Sequence, residues 1–295
     1  MSLYRHHALY SAFFAPSPDI RGSIDALVAR HLAARPRRML DPACGPSLWL
    51  EHFAAAGSEV AGIELDPEVA AAGHERLAPR RRRGREARVV AGDMRSPPAE
   101  IRGPFELVVN LDNSIGHLAG VPEVAEHLAA MRRLVAPRGI YLLGLAVRES
   151  GDAIEAESVY ERGPLPIAGG GFAAVRSETL GLQPPHRRGA PRCERIRHLV
   201  LTAGIDGLAP LFLEQYDLLT FPYATLKDIL AATGWKAIDC RDATDESLPK
   251  RRFGPGAGDV LLVLSPTGTA SPPDAPAARA PRAATRSTPR RRARA

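Results

Sequence analysis

Residues 39–66 constrain the fold more than any other stretch: M-L-D-P-A-C-G-P-S-L-W-L-E-H-F-A-A-A-G-S-E-V-A-G-I-E-L-D. Met39 and Leu40 suit a short buried strand. Asp41 through Ser47 is too small, and too rich in proline and glycine, to continue it. Leu48, Leu50, Phe53 and Ala54 then recur at helical spacing, and Gly57 is a natural helix stop. Residues 60–63 form a second apolar strand that ends on Glu64. A strand, a tight turn, a helix and a strand with an acid at its tip make the half-unit that binds the ribose of a nucleotide. The small turn lets a ligand approach the backbone, and the acid accepts hydrogen bonds from the ribose hydroxyls.

The turn also limits which ligand fits. A dinucleotide site needs G-x-G-x-x-G, so that pyrophosphate rests on a helix N-terminus. Here one glycine, Gly45, is followed by Pro46, which has no N–H to offer a phosphate. Asp41 at the mouth of the turn repels pyrophosphate and suits a cation. These features argue against an NAD-linked oxidoreductase. L-D-P-A-C-G-P-S resembles motif I of the class I S-adenosylmethionine-dependent methyltransferases, D-x-x-x-G-x-G, with Gly45 on the first glycine and Ser47 in place of the second. The resemblance implies S-adenosylmethionine as cofactor. It sets Asp41, Ala43, Cys44, Gly45 and Ser47 around the ligand, and Glu64 with Leu65 on the ribose side.

Further stretches agree. A helix over residues 67–77 breaks at Pro79 and a run of four arginines from Arg80, read as a solvated connection. Residues 87–91 form a third strand before G-D-M-R. In the resembled family an acid here reads the adenine amino group, which assigns that role to the Asp93 carboxylate and a ring nitrogen to the Met94 N–H. Residues 105–111 are a fully apolar strand suited to the centre of a parallel sheet, with Asn110 and Leu111 at its cofactor end. It runs into Asp112-Asn113-Ser114-Ile115-Gly116-His117-Leu118. N-S-I-G-H-L after that strand, with G-D-M-R before it, resembles the small-molecule subgroup that includes the N-methyltransferases of amino sugars and of glycine.

A helix over residues 124–134 leads through a Pro137-Arg138-Gly139 turn, similar to the family's L-x-P-G-G, into a strand at 140–147. The stretch from Tyr223 to Trp235 resembles the family's Y-T-x-x-E-L-x-x-L-L-x-x-A-G-F. It gives a helix over 226–234 and a strand at 235–240, and a last strand follows at 259–264. Together these imply an α/β fold: a doubly wound, Rossmann-like seven-stranded sheet with its last strand antiparallel.

About 75 residues separate the fifth strand from the helix at 226. So long a structureless loop does not belong in a compact domain. Strand-like runs at 172–176, 195–202 and 215–219 predict a small antiparallel cap over the substrate side, mobile around 184–191. The expected division is a cofactor-binding part with an N-terminal lid at 1–150, the cap at 151–216, the rest of the methyltransferase domain at 217–265, and a disordered basic tail at 266–295. The helical first 35 residues carry the aromatics Tyr4, Tyr10, Phe13 and Phe14; in the resembled family such an N-terminal segment lies over the cofactor as a lid, which implies ligand contact for Tyr4 or Tyr10.

Charge divides sharply along the chain. It has 39 Lys+Arg and 33 Asp+Glu, and from Pro266 onward there are seven arginines and one acid, Asp274. The remainder carries 32 of each sign, so the basic balance belongs to the tail and not to the fold. That argues against nucleic acid as substrate, although an arginine-rich tail supplies sequence-independent phosphate affinity and keeps an RNA methyltransferase as the alternative. A DNA adenine methyltransferase would carry [DNS]-P-P-[YFW] after the fourth strand, where this chain has L-D-N-S-I-G. Cys44, Cys193 and Cys240 show neither C-x-x-C nor zinc spacing, so no metal is expected. No apolar run reaches the roughly 20 residues that span a bilayer, and a cytoplasmic location is expected.

Methyl transfer from a sulfonium needs positioning and desolvation, and a base where the nucleophile holds a proton. His117 is the candidate base, with Asp112 and Tyr10 behind it. Tyr10, Asn113, Ser114 and Tyr216 are the candidate substrate contacts. The expected reaction is methylation of nitrogen or oxygen on a small molecule. A fold that binds S-adenosylmethionine without turnover is the non-catalytic alternative, raised by Pro46 and Ser47 in motif I.

Overall fold

The computed structural model describes residues 3–268 except 82, 83, 85, 150, 153–158, 167–170, 183–190, 205 and 206. The expected mobility around 184–191 falls outside the described residues except at residue 191. The expected disordered tail falls outside them from residue 269 onward.

A 3-10 turn at Leu3–Arg5 precedes α1 (His7–Phe14) and α2 (Pro18–His31). Ser17 starts α2, its hydroxyl accepting from the Ile20 N–H at 3.2 Å, with Pro18 in the first turn where no N–H is needed. Then follow β1 (Arg38–Asp41), α3 (Leu48–Ala55), β2 (Glu59–Glu64), α4 (Pro67–Arg76), α5 (Ala78–Arg81), β3 (Ala87–Ala91) and β4 (Phe105–Asn110). After a 3-10 turn at Ser114–His117 come α6 (Val121–Leu134), β5 (Val135–Val147), β6 (Val159–Pro166), β7 (Phe172–Leu182), β8 (Arg192–Gly204) and β9 (Gly207–Thr220). The chain returns through α7 (Tyr223–Ala232), β10 (Trp235–Asp242) and β11 (Gly258–Pro266).

The main sheet has seven strands in the order β10-β11-β5-β4-β1-β2-β3. The strands from β5 to β3 run parallel, and β11 is antiparallel to both its neighbours. Alternation along each strand feeds two cores. Leu40, Val108, Tyr141 and Leu143 point to the face packed by α6 and α7. Met39, Leu107, Val109, Ile140 and Leu142 point to the face packed by α2 and α3. Helices on both faces explain why these strands read as unbroken apolar runs. The parallel strands all end on one edge, and the order reverses between β1 and β4. Open α/β sheets place their ligand crevice at that switch point.

The cap is a second antiparallel sheet, β6-β7-β8-β9. The sequence reading missed β6, an edge strand whose residues are almost all exposed and which carries Gly163 and Pro164. It therefore shows no apolar alternation. Strand β5 begins at Val135, five residues before the expected start. The expected turn at 137–139 is instead extended backbone, with a register shift against β4 beyond the Val135–Phe105 pair. The helical turn α5 runs through Pro79 and Arg80, where a break was expected.

A third, small core joins the N-terminal segment to the cap. Leu3 and Phe13 pack with Ala173, Val175 and Val200. The Phe13 carbonyl accepts from the Tyr160 hydroxyl at 2.6 Å and from Arg162 at 2.8 Å. At the base of the cap Arg148 reaches Glu194 at 2.9 Å and Asp259 at 2.8 Å, tying β8 to β11. Among the described residues no helix is long and apolar enough to cross a membrane.

Candidate functional site

A cavity of about 480 Å³ opens at the switch point, under α1. The loop after β1 forms its floor. Within that loop every amide is already bonded. Ala43 N–H donates to Asp41 Oδ1 at 3.1 Å and Cys44 N–H to the Ile63 carbonyl at 3.0 Å. Gly45 N–H donates to Glu64 Oε2 at 3.0 Å and Ser47 N–H to the Cys44 carbonyl at 2.8 Å. Pro46 has none. The loop therefore has no donor left for a phosphate, which is the geometric form of the argument from Pro46.

Glu64 ends β2 with both oxygens fixed, the second accepting from Asp66 N–H at 2.9 Å. Each oxygen keeps further acceptor capacity, and Glu64 lines the cavity. Asp41 is buried, and burial pushes its pKa up to about 8, against the opposing pull of the Ala43 amide. Burial likewise raises Glu64 and Asp112. Asp112 and His117 have surface open to the cavity, yet enough protein surrounds them for desolvation to act. Among the described lining residues the one Lys or Arg is Arg95, which Asp93 and Glu123 hold at 2.6 Å each. Three acids at the cavity thus have no basic partner in its lining. Tyr4, Tyr10, Phe14 and Trp49 add aromatic surface to its wall. Desolvated acids with aromatic faces suit a cation and a flat heterocycle.

Most of the expected site residues line this one cavity: Asp41, Ala43, Cys44, Gly45, Glu64, Leu65, Asp93, Met94, Leu111, Ser114, His117 and Tyr10. Four lie behind its surface. Ser47 is fully buried at φ 67° and turns its hydroxyl toward Cys44 Sγ, 3.7 Å away. Gly73 on α4 makes this possible, because a Cβ there would come within 2.4 Å of the Ser47 hydroxyl. The serine in motif I is therefore matched by a glycine on the facing helix. Asn110 is buried beside the Met94 sulfur. Asn113 donates to the Leu219 carbonyl at 3.5 Å, and Tyr216 stands behind His117 with ring centres 5.2 Å apart. The Asp93 carboxylate, expected to face an adenine amino group, is gripped by Arg95 at 2.9 and 2.6 Å. That ion pair holds its pKa below the usual carboxylate range.

Asp112 and Asn113 both take positive φ, 58° and 55°. Strain of this kind in non-glycine residues clusters at functional sites. Gly116 accommodates it, since a Cβ there would meet the Asn113 amide group at 2.9–3.1 Å. The tight turn carries His117 into the cavity wall between Tyr4 and Tyr216. Burial lowers the His117 pKa, with Glu214 opposing, so the ring is neutral at pH 7. Sequence reasoning missed Trp49, Arg95, Glu123 and His198, whose Nε2 lies 2.6 Å from the Tyr216 hydroxyl. Loop side chains and partners from a distant strand leave no periodic signal.

Comparison with known proteins agrees with this geometry. A family of methyltransferase domains matches residues 39–139. Over 118 residues the chain is 36% identical to a dTDP-3-amino-3,6-dideoxy-alpha-D-glucopyranose N,N-dimethyltransferase of Streptomyces fradiae, covering 40% of this chain and 42% of that one. Over 105 residues it is 30% identical to a dTDP-3-amino-3,4,6-trideoxy-alpha-D-glucopyranose N,N-dimethyltransferase of Streptomyces venezuelae, covering 36% and 40%. The chain spans about two fifths of the length of these curated relatives. Among solved structures, a SAM-bound amino pentose methyltransferase from Micromonospora echinaspora superposes with a TM-score of 0.63 at 25% identity, over 90% of this chain and 98% of that one. A methyltransferase from Clostridium acetobutylicum reaches 0.67 at 11% identity, over 90% and 100%, a likeness of fold. Residues 39–139 thus match a methyltransferase domain, and in its strand order and motif I loop the chain has the fold of the S-adenosylmethionine-dependent methyltransferases.

Proposed function

We propose that this protein transfers a methyl group from S-adenosylmethionine to an amine nitrogen of a small molecule of the amino-sugar type. One observation carries the reading. The cavity at the switch point is lined by three desolvated carboxylates, Asp41, Glu64 and Asp112, while its loop withholds every amide from phosphate. Bound there, S-adenosylmethionine supplies a methyl group already activated by a positive sulfur. Asp41 and Glu64 would hold the cationic and ribose parts of such a ligand, and the Met94 turn its base. Tyr4, Tyr10 and Phe14 on the N-terminal segment exclude water.

An amine reaches this site largely as ammonium and must lose a proton before its lone pair can attack. Neutral His117 accepts that proton on an imidazole nitrogen, and Asp112 stands near it as a further acceptor. The acidic lining favours an amine over a neutral alcohol. The names of the two curated relatives, both amino-sugar N,N-dimethyltransferases, support the acceptor class.

The test is methyl transfer from S-adenosylmethionine to a panel of free and nucleotide-linked amino sugars, each beside its hydroxyl analogue, read by mass. The expected result is a gain of one or two methyl groups on amines only. Transfer to hydroxyl analogues alone, or to RNA with activity falling steeply as salt rises, would refute this acceptor.

A further inference from the structure

His127 on α6 is fully buried, nine residues beyond the end of the motif that supplies the cavity wall at His117. Its Nδ1 lies 3.1 Å from the Met94 carbonyl, and its Nε2 lies 2.7 Å from the Tyr141 hydroxyl on β5. These partners settle the tautomer. A carbonyl only accepts, so Nδ1 carries the hydrogen and Nε2 accepts from the tyrosine O–H. Burial lowers the His127 pKa to about 4, which keeps the ring in this neutral form.

The Tyr141 end of this bond pair is rigid. Tyr141 is fully buried and packs on Trp235 at 5.5 Å, and the Trp235 indole donates to the Leu128 carbonyl at 3.0 Å. The other end holds a turn of the cavity. Between β3 and β4 the chain turns sharply, with Ser96 N–H on the Asp93 carbonyl at 3.1 Å and Arg95 N–H on Asp93 Oδ1 at 2.8 Å. Met94 is the residue of that turn that reaches inward, its sulfur 3.9 Å from the Asn110 amide. Asp93, Met94 and Arg95 all line the cavity. The one hydrogen bond from His127 thus fixes the peptide that sets all three.

We infer that His127 is a positioning residue for the cofactor pocket: its Nδ1–H anchors the Met94 carbonyl and so holds the 92–96 turn in the shape that receives the ligand. This rests on the cofactor site proposed above. Tyr141 lies behind the ring and is not among the residues that line the cavity.

Two isomeric amides separate the two bonds. His127→Asn places an amide N–H near the Nδ1 position and keeps a donor for Met94. His127→Gln places it near Nε2 and keeps a partner for Tyr141 alone. The readouts are the dissociation constant for S-adenosylmethionine, hydrogen exchange at the Arg95 and Ser96 amides, and melting temperature. Expected for His127→Gln is about tenfold weaker binding, the usual effect of losing one such bond, with faster exchange in the turn. Expected for His127→Asn and Tyr141→Phe is binding within about twofold of wild type, even where the melting temperature falls. Equal affinity and exchange in all the variants would overturn the inference. So would weakening that tracks melting temperature and not the Met94 bond. If the wild type failed to bind S-adenosylmethionine, the proposed function would fall, while exchange in the turn would still decide whether His127 anchors it.

Discussion

Asp41 couples the cavity to proton traffic. Its pKa of about 8 in the fold, against an ordinary 3.8, means that the folded protein favours the protonated form across that window. The Asp41 contribution to stability is therefore fully present below about 3.8 and is lost as pH rises toward 8. A cationic ligand favours the ionised form and must release the proton. Affinity for S-adenosylmethionine should then rise with pH up to about 8, with proton release seen by calorimetry in buffers of different ionisation enthalpy. Glu64 and Asp112 add to the slope, and Asp41→Asn should flatten much of it. An affinity independent of pH in the wild type would show that Asp41 stays neutral and does not face the cation. His117→Ala should lower kcat by about 10²–10⁴-fold, the usual contribution of a general base, and leave cofactor affinity nearly unchanged. The wild-type rate should rise with pH through a value below the ordinary 6.5, because burial lowers the His117 pKa. Sequence located Asp41, Glu64, Asp93 and His117 because each follows a strand whose apolar run is plain. It gave no warning that Arg95 occupies the Asp93 carboxylate or that Ser47 turns inward, since both depend on where a loop side chain points.

The elements divide in the same way. The inner strands of the main sheet were legible because β1, β2, β4, β5 and β11 are largely buried on both faces, and an apolar run bounded by small residues can be read without knowing its partners. Strand β6 was not, because its side chains meet water on nearly every position. The N-terminal helix was read as a lid, and the structure gives it a firmer place. Phe13 is fully buried against the cap sheet, and its carbonyl takes two side-chain donors from β6. Phe13→Ala should cost about 3–5 kcal/mol of stability, as for other buried phenylalanines, measured by denaturant unfolding. A loss under 1 kcal/mol would mean that α1 sits on the cap without sharing its core.

At the scale of the molecule, the charge balance assigns the net positive charge to the tail. The fold extends a little further along the chain than the sequence suggested. Strand β11 runs to Pro266, Thr267 N–H bonds the Gly234 carbonyl at 2.9 Å, and Arg132 donates to the carbonyls of Thr267 and Gly268. A truncation after Gly268 should melt within about 2 °C of the full chain, since a stretch of Pro, Ala, Ser, Thr and Arg has few apolar side chains to bury. A larger drop would show that the tail docks on the fold. The account as a whole stands on the cavity at the switch point, and calorimetric titration of S-adenosylmethionine tests it most directly. The predicted result is binding at one site per chain, weakened by about 1–3 kcal/mol in Glu64→Ala through loss of charge-assisted hydrogen bonds. Absence of binding in the wild type, or NAD binding at the same loop, would contradict it.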